Sequence, residues 1–333
     1  MSRIGPSRRE FRQWAALGLC WVTAVSGCGR SRISANPGEG LTTRRACRRA
    51  DAPTEHRLGT DASVRRIQIT FLDPRRPTRA ESPPEPCRVL RTDIRVPLHR
   101  SGPLPLIVVA HGLDGDPSSL APLLDSWARR GYVVAAPRLP TTEKDEEGSS
   151  TRQESVEQAR DLSFVISGLV DASAHGRGSA LSNSIDRHRI GAAGMSLGGL
   201  AVYGLISNTC CRDARVRAAV LMAAVRRQFP DDHYGPNRAP VLLVQGDKDG
   251  GYHNSVDAYP ELAPPKWFIT LHGSGHASPF EVPPGPEAPL VATTTGDFWD
   301  RYLGERREAA TNILRVVRAT HGQAGLRFNA ATR

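Results

Sequence analysis

Lysine is nearly missing: Lys144, Lys248 and Lys266 are the only three in 333 residues. Almost all the positive charge is therefore guanidinium and persists at any ordinary pH. Internal repeats are also absent, which removes solenoids and propellers from consideration. The net charge of +10 invites a nucleic-acid reading, but its distribution excludes one. Residues 1–66 hold 13 Arg against 5 Asp or Glu, a balance of +8, so only +2 is left for the other 267 residues. The basicity belongs to a tail, solvated or facing an anionic membrane, and the rest of the chain is nearly neutral.

The first 27 residues read as an export address. Arg3, Arg8, Arg9 and Arg12 give a basic start, and Trp14 to Val25 form an apolar stretch too short for a permanent transmembrane helix. Val25-Ser26-Gly27-Cys28 resembles a bacterial lipobox, and Ser7-Arg8-Arg9-Glu10-Phe11 a twin-arginine motif. The expected mature protein is an exported lipoprotein of the cell envelope that begins at a lipidated Cys28 and is anchored to a membrane; the alternative is a secreted protein with a simple signal peptide, in which Cys28 is incidental. From there to residue 66 the chain is rich in Arg, Ser, Thr, Gly and Pro and lacks an apolar period, as a disordered tether would be. A catalytic domain is expected over residues 67–320, with a flexible tail over 321–333.

Within that domain Ile67 to Phe71 and Thr92 to Val96 alternate like an antiparallel edge pair. Continuous apolar runs follow at 104–110, 132–136, 189–193, 218–223, 241–245 and 267–271, as in strands buried on both faces. Helical segments fit at 118–130, 154–170, 197–207, 255–262 and 294–320. The pattern predicts a mostly parallel, doubly wound α/β sheet of eight strands, with its chemistry at the strand carboxyl ends.

Gly194-Met195-Ser196-Leu197-Gly198 ends one of these runs and opens a helical segment. Gly-x-Ser-x-Gly in that setting is a nucleophile elbow, where glycine two residues either side of the serine lets strand and helix nearly touch. A serine nucleophile needs a base and an orienting carboxylate, in the chain order Ser, Asp, His for this kind of sheet. Asp249 stands 53 residues after Ser196, and His276 27 after Asp249, both beyond strand ends. Asp247 is read as a turn brace and His272 as a packing residue. The i, i+4 spacing of His272 and His276 suggests no metal pair, because Gly273-Ser274-Gly275 is a poor helix. The N–H groups of Leu197 and Leu113 are the expected oxyanion donors, with His111 beneath the second as a structural residue.

These residues carry a resemblance. Pro105 to Gly112, Arg130 to Pro137, Asp186 to Gly191, Gly194 to Gly199, Gly246 to Asp249 and Gly273 to His276 resemble bacterial α/β-hydrolases. The nearest groups are the platelet-activating-factor acetylhydrolase-like, dienelactone-hydrolase-like and cutinase-like polyester-hydrolase proteins. The resemblance implies an α/β-hydrolase fold and a serine esterase using Ser196, Asp249 and His276. Met195 departs from the His or Trp common before the serine, and dienelactone hydrolases proper carry cysteine where this chain has Ser196. Ala224 to Ala239 leave only 16 residues where many relatives insert a cap domain. An open cleft with Phe229, His233 and Tyr234 as lining candidates is expected, suited to extended or lipid-like esters.

If Cys20 leaves with the signal and Cys28 carries lipid, Cys47, Cys87, Cys210 and Cys211 remain. Adjacent Cα atoms lie about 3.8 Å apart, below the usual disulfide range, which argues against a Cys210–Cys211 bridge. A free buried pair and bridges to Cys87 or Cys47 stay open. Three functional classes remain: a cofactor-free, metal-free ester hydrolase acting on small-molecule or polymeric esters, an amidase or peptidase using the same triad, and a surface-anchored binding protein on an inactive hydrolase fold.

Overall fold

The apolar runs become strands and the segments between them helices. The computed structural model describes residues 55–330 apart from Ala62, 79–86, Arg100, 145–151, Arg177 and 228–233. The export segment, Cys28, and the tether up to residue 54 lie outside the described residues. In chain order the elements are β1 (Glu55–Thr60), β2 (Val64–Asp73), β3 (Arg88–Pro97), β4 (Leu104–Ala110), α1 (Ala121–Arg129), β5 (Val133–Pro137), α2 (Arg152–His175), β6 (Ile185–Met195) and α3 (Leu197–Ser207). They continue with β7 (Val216–Met222), β8 (Val241–Gly246), α4 (Tyr252–Ala258), β9 (Lys266–Leu271), α5 (Ala288–Tyr302), α6 (Ala309–Arg318) and β10 (Ala324–Asn329).

One sheet runs β1-β2-β3-β5-β4-β6-β7-β8-β9-β10. The six strands from β5 to β9 are parallel. The pairs β1–β2, β2–β3, β3–β5 and β9–β10 are antiparallel. Parallel strands need helical crossovers, and these cover both faces. In β4, Leu106, Val108 and Ala110 face one core with Leu162, Ile166 and Leu205 of α2 and α3. Ile107 and Val109 face the other, with Trp127 of α1 and Phe298 and Trp299 of α5. Each such fully buried side chain contributes roughly 1.5–3 kcal/mol relative to exposure. The parallel strands thereby present their carboxyl ends, and the loops beyond them, along one edge.

The sheet has ten strands, two more than the sequence reading. Glu55–Thr60, assigned to the disordered tether, pairs with β2 although five of its six residues are exposed. Its stability comes from backbone pairing, which leaves no apolar period to read. Ala324–Asn329, assigned to the flexible tail, pairs with β9 and stacks Phe328 on Trp267 at a centroid distance of 3.8 Å. The expected long last helix is two, α5 and α6, because the chain turns at Gly304 and at Glu305 with φ 60°.

Candidate active site

Ser196 sits between β6 and α3 with φ 54° and ψ −118°, a conformation that side chains rarely adopt. Its N–H donates to Met222 O on β7 at 2.9 Å, so the strained turn is tied to the sheet. The flanking glycines fit because strand and helix touch: a Cβ on Gly194 would meet the Gly198 carbonyl, and one on Gly198 the carbonyls of Ala110 and His111. Any larger residue at either position would force Ser196 off the apex.

The structure brings the three separated side chains together. His276 Nε2 lies 2.9 Å from Ser196 Oγ, and His276 Nδ1 lies 2.7 Å from Asp249 Oδ2. Asp249 is nearly covered, with 4% of its side chain exposed, whereas 44% of His276 faces outward. A buried carboxylate demands donors, and Asp249 has three. Gly251 N–H donates to Oδ1 at 2.8 Å, and Gln245 Nε2 donates to Oδ2 at 2.6 Å beside the imidazole. Gln245 is in turn held by Ser255, whose hydroxyl lies 3.0 Å from Gln245 Oε1 and 2.9 Å from Ala224 O. The Asp249 hydrogen bond raises the His276 imidazole above its ordinary range, with burial opposing.

Two further groups near the triad escaped the sequence reading. Gln245 ends an apolar strand and carries no motif of its own. Glu281 is a half-buried carboxyl pushed up by desolvation, with His276 acting in the opposite sense.

Asp247 braces the loops, as its position after β8 suggests. Its carboxylate accepts from Gly273 N–H at 2.8 Å and lies 3.0 Å from His272 Nδ1, and both interactions depress its pKa. Lys248 N–H also donates to Ser274 O at 2.9 Å. The loop holding Asp249 is thus stitched to the loop holding His276. His272 is half exposed rather than packed; it lies one residue past the end of β9, beside the start of β10 at Gly325.

His111 is buried, and burial pushes its imidazole down toward the neutral form. Leu139 N–H donates to its Nε2 at 2.9 Å, which leaves Nδ1 to carry the proton and donate to Gly112 O at 2.8 Å. Gly115 N–H donates to the same carbonyl at 3.2 Å. With the Gly112 carbonyl held from that side, the planar peptide turns the Leu113 N–H the opposite way. The loop also runs against the serine: a Cβ on Gly112 would lie 3.2 Å from Ser196 Cβ and 3.2 Å from Met195 Sδ. Leu197 is the first residue of α3, so its N–H belongs to the first-turn amides without an intrahelical acceptor. Gly112 and Leu197 thus lie against Ser196, and Leu113 is one residue beyond Gly112.

Of the three cleft-lining candidates only Tyr234 is among the described residues. Phe229 and His233 lie outside the described residues. Tyr234 is set beside Tyr203, seven residues and about 10 Å along α3 from Ser196, at a ring distance of 6.3 Å. Its hydroxyl donates to Arg227 O at 2.6 Å, and the Arg226 guanidinium lies over its ring at 4.5 Å. Tyr234 is a packing residue of that loop.

The cysteine expectation is corrected. Cys210 and Cys211 are bonded to each other with Cα atoms 3.8 Å apart, and Cys87 is also disulfide-bonded. The turn after α3, in which Asn208 Oδ1 accepts from Cys210 N–H and Asn208 O from Arg212 N–H, holds the two neighbours where they meet. Among the described residues no group of three or more His, Cys, Asp or Glu could hold a metal ion, and no helix is long and apolar enough to cross a membrane.

Residues 94–258 match the family model described as Dienelactone hydrolase family. A search of curated proteins found no match to the chain.

Proposed function

We propose that the chain is a serine carboxylic-ester hydrolase of the α/β-hydrolase type, a reading supported by the match of its central segment to the dienelactone hydrolase family. The observation that carries this reading is the unbroken run of contacts from Ser196 through His276 to Asp249 on a strained turn. His276 Nε2 takes the hydroxyl proton as Ser196 Oγ attacks the ester carbonyl carbon. The new oxyanion is held by the N–H groups of Leu113 and Leu197, and Asp249 stabilises the imidazolium. As the tetrahedral intermediate collapses, the C–O bond to the alcohol breaks and His276 returns the proton to the leaving oxygen. Water then attacks the acyl-enzyme carbonyl, losing its proton to the same nitrogen; as this second intermediate collapses the C–O bond to Ser196 breaks, His276 returns the proton to Ser196 Oγ, and the acid leaves. The scheme calls on no metal or organic cofactor.

Extended or lipid-like esters suit the short 18-residue connection between β7 and β8. The N-terminal pattern supports an exported form anchored through Cys28. Turnover of p-nitrophenyl esters by protein starting at Gly29 tests the reaction. Hydrolysis is expected, with Ser196→Ala at least about 10³-fold slower. Equal rates for the two proteins would overturn the assignment.

A further inference from the structure

Beside the triad the surface carries an apolar groove of about 300 Å³. Pro122 and Leu123 at the start of α1 form one wall, Pro279 and Phe280 after His276 another, and Ala288 and Ala292 of α5 the floor. Every side chain lining it, among the described residues, is apolar, so a charged or strongly hydrated ligand would lose water there without compensation.

Its position ties it to the reaction. Pro279 follows His276 by three residues, so their Cα atoms are at most about 11 Å apart. The opposite wall begins where the loop from Gly112 and Leu113 runs into α1. Val282 N–H donates to Ser119 O at 2.9 Å, which fastens the histidine loop to the oxyanion loop and fixes the groove in its open form. Among the described residues, Leu113 and Val282, one on each of these loops, are two of the four exposed large hydrophobic residues, 48% and 47% exposed.

We infer that this groove is the subsite for an uncharged apolar chain of the ester substrate. The inference rests on the esterase reading and adds what that reading leaves open, namely where the chain lies and what it is. A pre-formed, proline-walled groove binds a flexible chain without ordering its own walls. Each methylene it covers raises kcat/KM about fourfold, up to the length of the groove.

The test uses two graded ester series, p-nitrophenyl esters from acetate to dodecanoate and acetates of straight alcohols from methyl to dodecyl. The first places the chain on the acyl side and the second on the alcohol side. The readout is the ratio of kcat/KM for the eight-carbon substrate to that for the shortest, which is independent of the fraction of folded protein. In one of the two series the native ratio is expected to exceed about 10. Ala292→Phe, which fills the groove, and Ala288→Asp, which places a charge in it, should each lower that ratio about tenfold. Ratios near or below 1 in both series, or a native ratio that neither variant changes, would overturn the subsite. No turnover of any ester, the shortest included, would instead overturn the esterase reading and this inference with it.

Discussion

Gln245 and His276 share one oxygen: the Gln245 amide donates to Asp249 Oδ2 at 2.6 Å, and His276 Nδ1 lies 2.7 Å from the same atom. Gln245 therefore positions Asp249 without touching a substrate. Hydrogen bonds to charged groups are worth about 1.5–3 kcal/mol, and Gln245→Leu removes one while leaving the shape of the strand end. We expect kcat to fall about tenfold with KM little changed, and Gln245→Glu to be worse because it sets two carboxylates together. Steady-state kinetics on a short p-nitrophenyl ester checks both.

The pH profile follows from the same contacts. Asp249 favours the charged imidazole, so the acid limb of kcat/KM should have its midpoint above the usual histidine value of about 6.5. Activity requires neutral His276 and is lost as pH falls through that midpoint. In Asp249→Asn the cause of the raise is gone, so the midpoint should move down and kcat should drop by about 10³–10⁴. An unmoved midpoint would remove Asp249 from the role of orienting acid.

His111 fixes the peptide that presents the Leu113 N–H. His111→Ala leaves the Gly112 carbonyl held only by the longer Gly115 N–H bond and the buried Leu139 N–H without its acceptor. We expect kcat to fall about 10–100-fold, in line with a blurred oxyanion site, and stability to fall by about 1–3 kcal/mol. Chemical denaturation alongside kinetics separates the two effects.

Far from the serine, Arg88 is buried with its Nε 2.8 Å from both oxygens of fully buried Asp161. The pair fastens β3 to α2, and Asp161→Ala would strip buried Arg88 of its two-oxygen partner and Arg76 of one carboxylate. The expected cost is about 3–5 kcal/mol by urea unfolding. A loss under about 1 kcal/mol would show that Glu154, 2.5 Å from Arg88 Nη2, suffices alone.

The sequence made the elbow legible because its glycines answer a local steric demand: Gly194 and Gly198 are small where backbone meets backbone. Asp249 and His276 were legible because strands buried on both faces are continuous apolar runs, whose ends mark where loops converge. Gln245 was not, since a lone polar residue at a strand end carries no period or motif. β1 escaped because an exposed edge strand held by backbone pairing needs no apolar alternation. The Cys210–Cys211 bond escaped because the usual spacing range describes bridges between separate segments, whereas here one turn supplies both cysteines.

The most direct measurement is the site and stoichiometry of reaction with a fluorophosphonate, read by mass spectrometry of the intact and digested protein. The account predicts one adduct per folded chain, on Ser196, and its loss in His276→Ala under conditions where folding is retained. A native protein that takes up no adduct at Ser196, or takes it up equally without His276, would contradict it.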